Sequence, residues 1–505
     1  MFKSVAWLAA ALGLVGAGLT HRVAAAPLEI GLSDRHTLVN GISIPGRNGS
    51  TATVLLIGGL AGPDASVESV RAAVASYERE PRRRRTFALL AIPLANPDGA
   101  HLEFPPTGNA YHDQRESQVL WRWIGIHAPD QVLVAGPDAA GLAAALGTQS
   151  VAQVGRIPAR AFESGDLGRL AGGAIEPSEA HRELSRRLAR TPLELSEELA
   201  RYYGHDFKLP IYVNAIALTG QLRLGHLKEV ETLVQPYVDG TRDGLARPNS
   251  LVFAGYLLFG ELYRRTGDPR YLARVRAAAG YGFEADGRMK DAMPFHNGFS
   301  DSLFMGTDIL AQAGALTGER RYFDMAARHI EFMRRLDLRP DGLYRHHPGT
   351  EVAWGRGNAF AAIGLANALS DFPPQHPQFA RILGEYRAHM ATLLAHQDGD
   401  GMWRNIIDLP GSYSEFSATA MIAFALQRGI ERGWLPKRPY GAAVERAWRA
   451  VLARVGRGGS LVDVCESTAQ AQTLEDYMNR TAILGPDPRG GAMALLLATE
   501  LAGLK

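Results

Sequence analysis

Cysteine is almost absent from this 505-residue chain: Cys465 stands alone. No internal disulfide can form, and no thiolate cluster can hold a metal. A charge imbalance is missing too. The formal net charge is +2, and no Lys/Arg stripe with interleaved aromatics is visible, so no nucleic-acid partner is expected. The densest basic run, Arg82–Arg85, lies between apolar segments and reads as a solvated turn. Beyond the first 26 residues no apolar run is long enough to span a bilayer. What is present is ordinary for a globular chain, with 46% hydrophobic and 21% charged residues. The length predicts two or more domains.

Residues 1–26 read as an export leader. Lys3 supplies the positive start, Val5–Leu19 is an apolar run too short for a comfortable span, and Ala24-Ala25-Ala26 suits a peptidase. The expectation is a periplasmic or secreted protein with no stable membrane span after cleavage. Lacking disulfides, it must draw stability from core size, which roughly 480 mature residues allow.

From 27 to 162 the pattern is α/β. Ala52–Gly58, Thr86–Ile92 and Gln131–Ala135 read as buried strands, alternating with helices at Ser66–Glu80 and Glu116–Ile126. That alternation predicts a mostly parallel sheet covered by helices. Residues 163–179 are rich in Gly, Ala and Ser and read as a linker. From 180 to 505 helical periodicity dominates. Thr266-Gly267-Asp268-Pro269-Arg270-Tyr271 is echoed 51 residues later as Thr317-Gly318-Glu319-Arg320-Arg321-Tyr322. Each copy joins an apolar helix to an amphipathic one, a helix-hairpin repeat. About 310 residues of such hairpins make roughly six pairs, predicting an (α/α)6 toroid, with an open solenoid as the competing arrangement. The weakly patterned stretch Leu461–Tyr477 is one further helix candidate.

In a toroid the loops entering the inner helices share one mouth. Three are chemically loaded: Pro294–Asp301, Tyr344–Asn358 and Gly411–Thr419. Asp301 precedes an inner-type helix and suits both capping and acid–base chemistry. His346-His347 reads as a solvated turn, and Glu415 with Ser417 and Thr419 as a cap. In Val352–Ala366, Trp354 offers an apolar plate, Arg356 a fork for a carboxylate, and Asn358 a donor and acceptor at a helix start.

Taken together, these motifs resemble the unsaturated rhamnogalacturonyl hydrolases, glycoside hydrolase family 105, with the unsaturated glucuronyl hydrolases as near relatives. The resemblance covers roughly Leu209–Leu501 and is carried by Trp354-Gly355-Arg356-Gly357-Asn358, Ser300–Met305, Gly342–His346, Gly401–Trp403, Glu415–Met421 and Gly459–Cys465, in the family's order. It implies hydration of the C4=C5 double bond of an unsaturated uronate at the end of an oligosaccharide, without a cofactor or metal. Asp301 would be the catalytic acid/base, and His346, Trp354, Arg356, Asn358, Phe299 and Asn249 would contact substrate. Four positions depart from the pattern, one of them Arg489, where the family often has His. Phe299 stands for a Trp, Phe360 for another, and Asn249-Ser250 where a second Asp is expected. Two rival readings follow: an inactive exported saccharide-binding protein, or another (α/α)6 carbohydrate enzyme with Asp308 or Glu415 as a second carboxylate.

The segment 27–162 resembles, more loosely, the zinc carboxypeptidase fold through Gly58-Gly59, Asn96-Pro97-Asp98-Gly99 and the helix Glu116–Ile126. The family's ligand positions fall on Ala61, Asp64 and Gly136. Asp64 alone would not hold Zn²⁺, so the domain is expected to be a degenerate scaffold.

Overall fold

The computed structural model describes residues 25–295, 298–467 and 470–504. The export leader expected at 1–26 lies outside the described residues up to position 24. The first part of the chain runs β1 (Ala26–Leu32), β2 (Leu38–Ile44), β3 (Thr53–Ile57), α1 (Ala65–Arg79), β4 (Ala88–Ile92), α2 (Arg115–His127), β5 (Gln131–Val134), α3 (Leu142–Thr148), β6 (Ala159–Ala161) and α4 (Asp166–Ala171). The sheet order is β1-β2-β4-β3-β5-β6. Strands β4, β3, β5 and β6 are parallel, while β1 and β2 add an antiparallel edge. The sheet is mostly parallel, as expected, with an antiparallel edge in addition. Gly31 and Gly41 interrupt both edge strands, which therefore lack the apolar runs that mark β3, β4 and β5. Those central strands are buried on both faces, with Leu55 and Ile57 turned to one core and Val54 and Leu56 to the other.

Within the expected linker at 163–179, Asp166–Ala171 form helix α4. Leu167 and Leu170 of α4 sit on the sheet, and buried Asp166 accepts hydrogen bonds from Arg160 at 2.7 and 2.9 Å. The next helix, α5 (Glu179–Leu188), is shared. Its Ala180 and Leu184 join the sheet-side core, while Arg187 donates to Ala453 O at 3.0 Å and Gln153 O at 2.7 Å.

The helical part continues with α6 (Pro192–Ala200), α7 (Tyr212–Arg223), α8 (Leu227–Val238), α9 (Ser250–Gly255), α10 (Leu257–Thr266), α11 (Pro269–Ala279), α12 (Ser302–Met305), α13 (Thr307–Thr317) and α14 (Arg320–Asp337). It ends with α15 (Gly355–Asp371), α16 (Phe379–Ala395), α17 (Phe416–Glu431), α18 (Lys437–Arg454), β7 (Leu461–Cys465), α19 (Leu474–Met478), β8 (Ala482–Gly485) and α20 (Pro488–Leu501). Inner helices touch in the ring α7, α10, α13, α15, α17, α20 and back to α7. Helices α8, α11, α14, α16, α18 and α6 form the outer layer. The closed ring is an (α/α)6 toroid, and it removes the open solenoid. The repeated Thr-Gly turns are the joints between layers: Gly267 and Gly318 end α10 and α13 with φ of 72° and 73°, where glycine escapes the Cβ penalty. In the stretch offered as a helix, Leu461–Cys465 form β7 and the short α19 begins at Leu474. The pair β7–β8 is a two-stranded antiparallel ribbon.

The two parts share a core. One apolar cluster contains Tyr111, Trp121 and Trp123 of the sheet domain together with Trp354, Tyr413, Cys465 and Tyr477 of the toroid. Helix α2 lies between them, which is why its Arg115, Glu116, Gln118 and Arg122 are buried.

Candidate active site

One mouth of the toroid holds a cavity of about 620 Å³. Asp301, Phe299, His346, Trp354, Arg356 and Asn249 all line it. Six of the seven expected site residues thus converge there from separate parts of the chain.

Asp301 leads into α12 with helical angles of φ −53° and ψ −27°, and its side chain makes no capping hydrogen bond. It is 5% exposed. His346 Nε2 lies 3.8 Å from Asp301 Oδ1, and His346 Nδ1 lies 2.6 Å from the Tyr477 hydroxyl. The loops carrying the two residues are tied by Ser300 N donating to His346 O at 3.0 Å. Behind them His329 accepts from Met293 N at 3.2 Å through Nδ1 and meets Ser302 O at 3.1 Å through Nε2. Burial pulls the His329 pKa down to about 4, against the Ser302 carbonyl that favours the charged ring. Neutral His329 therefore braces the segment that presents Asp301.

Gly357 lets α15 approach. A Cβ there would sit 2.6 Å from Ser300 Oγ and 3.6 Å from Asp301 Oδ1. The first turn of α15 thus lies against Ser300 and Asp301. Asp337 at the end of α14, not among the second carboxylates suggested by the sequence, is fully buried. Burial pushes its pKa up to about 8, with Asp301 adding to the rise and Arg345 opposing it. An Asp in the last turn of an amphipathic helix gives no sequence signal of burial.

Arg356 is almost fully buried. Its Nη1 donates to Ser417 Oγ at 3.2 Å and to Cys465 O at 3.0 Å, and Nη2 donates to the same carbonyl at 3.0 Å. A guanidinium has five N–H donors, so this mooring leaves others for an anion in the cavity. The guanidinium lies 5.0 Å from the Trp354 ring centroid, and His346 lies 4.7 Å from the same ring. Trp354 donates from Nε1 to Asn405 Oδ1 at 3.1 Å. Trp354 is almost fully buried with Arg356 over its ring, so the plate expected to stack on sugar instead backs the guanidinium.

Asn358 is the correction among the expected contacts. It is fully buried and does not line the cavity. Its Oδ1 accepts from Tyr344 N at 2.8 Å, and its Nδ2 donates to Tyr344 O at 2.8 Å and Trp354 O at 3.0 Å. It clamps one mouth loop and has no N–H left to offer. Asn249 lines the cavity while its Oδ1 caps α9 through Val252 N at 3.1 Å. His347, expected in a solvated turn, is buried and bound to Ala471 O at 2.7 Å.

The third loop does not open on the cavity either. Gly411 packs against Leu32 and Leu38 of the sheet domain. Glu415 is spent as the α17 cap, accepting from Ser417 N at 3.1 Å and Cys465 N at 3.0 Å. Asp308 sits at the opposite end of the toroid, in a separate cavity of about 410 Å³. Neither rival second carboxylate reaches the mouth. Asp301 is the one acidic side chain among the described residues lining it.

Ser467 and Gln470 on the cavity wall, and Tyr477, the partner of His346, come from the weakly patterned excursion between β7 and β8 and carry no local signal of their place. Arg489, also on the wall, donates to Asp487 at 2.8 Å. The described residues contain no group of three or more His, Cys, Asp or Glu placed to hold a metal ion. In the sheet domain Asp64 caps α1, accepting from Ser66 N at 2.8 Å.

The model of Glycosyl Hydrolase Family 88 matches residues 232–505. Unsaturated rhamnogalacturonyl hydrolase YesR of Bacillus subtilis is 29% identical over 274 residues, covering 50% of this chain and 76% of that protein. An unsaturated 3S-rhamnoglycuronyl hydrolase of Alteromonas is 29% identical over 175 residues, covering 32% of this chain and 42% of that protein. Among solved structures, a possible member of the GH105 family from Salmonella enterica superposes with a TM-score of 0.51 at 22% identity, over 64% of this chain and 94% of the other. A family 105 glycoside hydrolase from C. acetobutylicum gives 0.52 at 18% identity, over 63% and 99%. These likenesses share the toroid, and the carboxypeptidase likeness of the sheet domain finds no support in them. Matched over more than half its length, the chain belongs to glycosyl hydrolase family 88 and is a glycoside hydrolase.

Proposed function

We propose that this enzyme removes unsaturated uronyl residues from oligosaccharides left by polysaccharide lyases, by hydrating the C4=C5 double bond. The observation that carries the reading is the lone carboxyl of Asp301 facing the same cavity as Arg356 and His346. Ordinary glycosidases need two carboxyl groups flanking the bond. Hydration of an enol ether needs one, used twice. Asp301 gives its proton to C4, water adds at C5, and Asp301 takes a proton from that water. The resulting hemiketal opens and releases the neighbouring sugar. Arg356 pairs with the uronate carboxylate, its position set by Ser417 and the Cys465 carbonyl. His346 hydrogen-bonds the sugar beside Asp301. The names of the relatives from Bacillus subtilis and Alteromonas support the substrate class.

The test is loss of the double-bond absorbance near about 235 nm, on lyase-digested pectin, ulvan and chondroitin. Turnover of one fragment is expected. Binding without absorbance change on any of them would favour the saccharide-binding alternative, to which the Asn249-Ser250 departure points. Export is part of the proposal, and amino-terminal sequencing of the mature protein tests it, with a start near position 27 expected.

A further inference from the structure

We infer that the sheet domain completes the carboxylate-binding side of the active site, with Arg122 and Tyr111 as positioning residues acting through Asp463. The inference rests on the reading of Arg356 as the clamp for the substrate carboxylate. Arg356 is held by two bonds to one carbonyl, that of Cys465, the last residue of β7. What fixes that carbonyl fixes the guanidinium.

Two residues upstream the strand is irregular. Pairing with β8 shifts between Val462 and Val464, and Asp463 takes a φ of 63°. A non-glycine residue in that region is uncommon, and a bulge re-aims the residues around it. The bulge turns Asp463 out of the toroid toward the sheet domain. There Arg122 Nη1 donates to Asp463 Oδ1 at 2.5 Å and the Tyr111 hydroxyl donates to Oδ2 at 3.2 Å. Both Arg122 and Asp463 are nearly inaccessible, at 6% and 4% exposure. Arg122 Nη2 also donates to Ala482 O at 3.1 Å, on the partner strand directly opposite Cys465. The sheet domain thus grips both strands of the ribbon at the level of the carbonyl that moors Arg356. Tyr111 stacks on Tyr413 at 4.6 Å, and Asn405 donates to Tyr477 O at 2.9 Å, anchoring the excursion that carries the partner of His346. Domain packing alone needs no left-handed aspartate two residues from the carbonyl that moors the active-site arginine. A bulge held from outside explains both.

The test measures KM and kcat on the unsaturated substrate, and glucuronate binding by calorimetry, for the full chain and its Tyr111→Phe, Arg122→Lys, Arg122→Met and Asp463→Asn variants. Melting temperatures identify the variants that fold. Arg122→Met and Asp463→Asn are expected to raise KM and weaken glucuronate binding by about tenfold or more, with kcat changed far less. Arg122→Lys should recover part of the loss. Tyr111→Phe, which removes one hydrogen bond and no charge, should shift KM in the same direction by a smaller factor, and it carries the test should the charge variants fail to fold. Folded variants with unchanged KM and glucuronate affinity would overturn the inference while leaving the proposed reaction intact. A wild type that binds glucuronate, more weakly when Arg122 is changed, yet never consumes the double bond would leave the inference standing and sink the reaction. A wild type that does neither would end both.

Discussion

Asp301 and His329 stand back to back in the structure, one facing the cavity and one bracing the segment that carries it. Asp301→Asn preserves shape and removes the exchangeable proton. Its kcat should fall by about 10²–10⁴-fold with an unchanged melting temperature, read by absorbance and calorimetry. Near-normal turnover would remove Asp301 from the reaction. His329 makes a pH prediction. Its folded pKa of about 4 lies below its ordinary 6.5. The unfolded chain therefore binds the proton first, and stability rises with pH across that window. His329 contributes stability that is present above 6.5 and is lost as the pH falls toward 4, amounting to about 3 kcal/mol in all. Replacing it by Gln should flatten this part of the acid loss in urea unfolding measured across that range. An unchanged pH slope in the variant would show that the ring is not held neutral.

Helix α15 depends on close approach at two glycines. A Cβ on Gly364 would lie 2.1 Å from the Leu303 carbonyl, backbone that cannot swing away. Gly364→Ala should cost about 1–3 kcal/mol or more, visible as a lower melting temperature. Gly357→Ala meets the Ser300 hydroxyl at 2.6 Å. Since Ser300 adjoins Asp301, activity should fall further than stability does. Gly384, inside exposed α16, meets nothing within 4 Å and serves as the contrast. Alanine there should stabilise by up to about 1 kcal/mol, since glycine is the poorer helix former. Equal melting temperatures for the 364 and 384 variants would contradict the packing described for α12 and α15.

At the scale of the whole molecule, the sheet domain and the toroid behave as one unit because they share a core. Trp354 and Tyr477, both at the active site, lie in the same apolar cluster as Trp121 and Trp123. Ion pairs cross the boundary as well, the buried Arg122 with Asp463 and the partly exposed Arg404 with Glu29. Calorimetry should show one unfolding transition. A chain cut within α5 should be poorly soluble, since removing the sheet domain exposes that cluster. Two well-separated transitions would show that the toroid does not depend on its neighbour.

The hairpin echo, the leading motif around Arg356 and the placement of Asp301 before an inner helix were all legible in the residues. Each is a local matter of periodicity or of a polar group at a helix start, and local chemistry is written in neighbouring positions. Asn358 and Trp354 were legible as special but not in their roles, because an amide or an indole shows its partners only when distant loops arrive. The edge strands β1 and β2 were hidden by Gly31 and Gly41, and the helix in the supposed linker by small residues that look like coil. The excursion carrying Tyr477 has no periodicity at all, since it is shaped by what it docks against. The chain by itself thus determined paired helices with an acid and a guanidinium at the starts of inner ones, and left the closed ring and the open solenoid both standing. Only the tertiary structure decided that Asp308 faces the far end, that Glu415 is spent on a cap, and that Arg356 is moored to a strand gripped by another domain. Those outcomes depend on contacts between residues hundreds of positions apart, and no local pattern encodes which lone pair such a contact will consume.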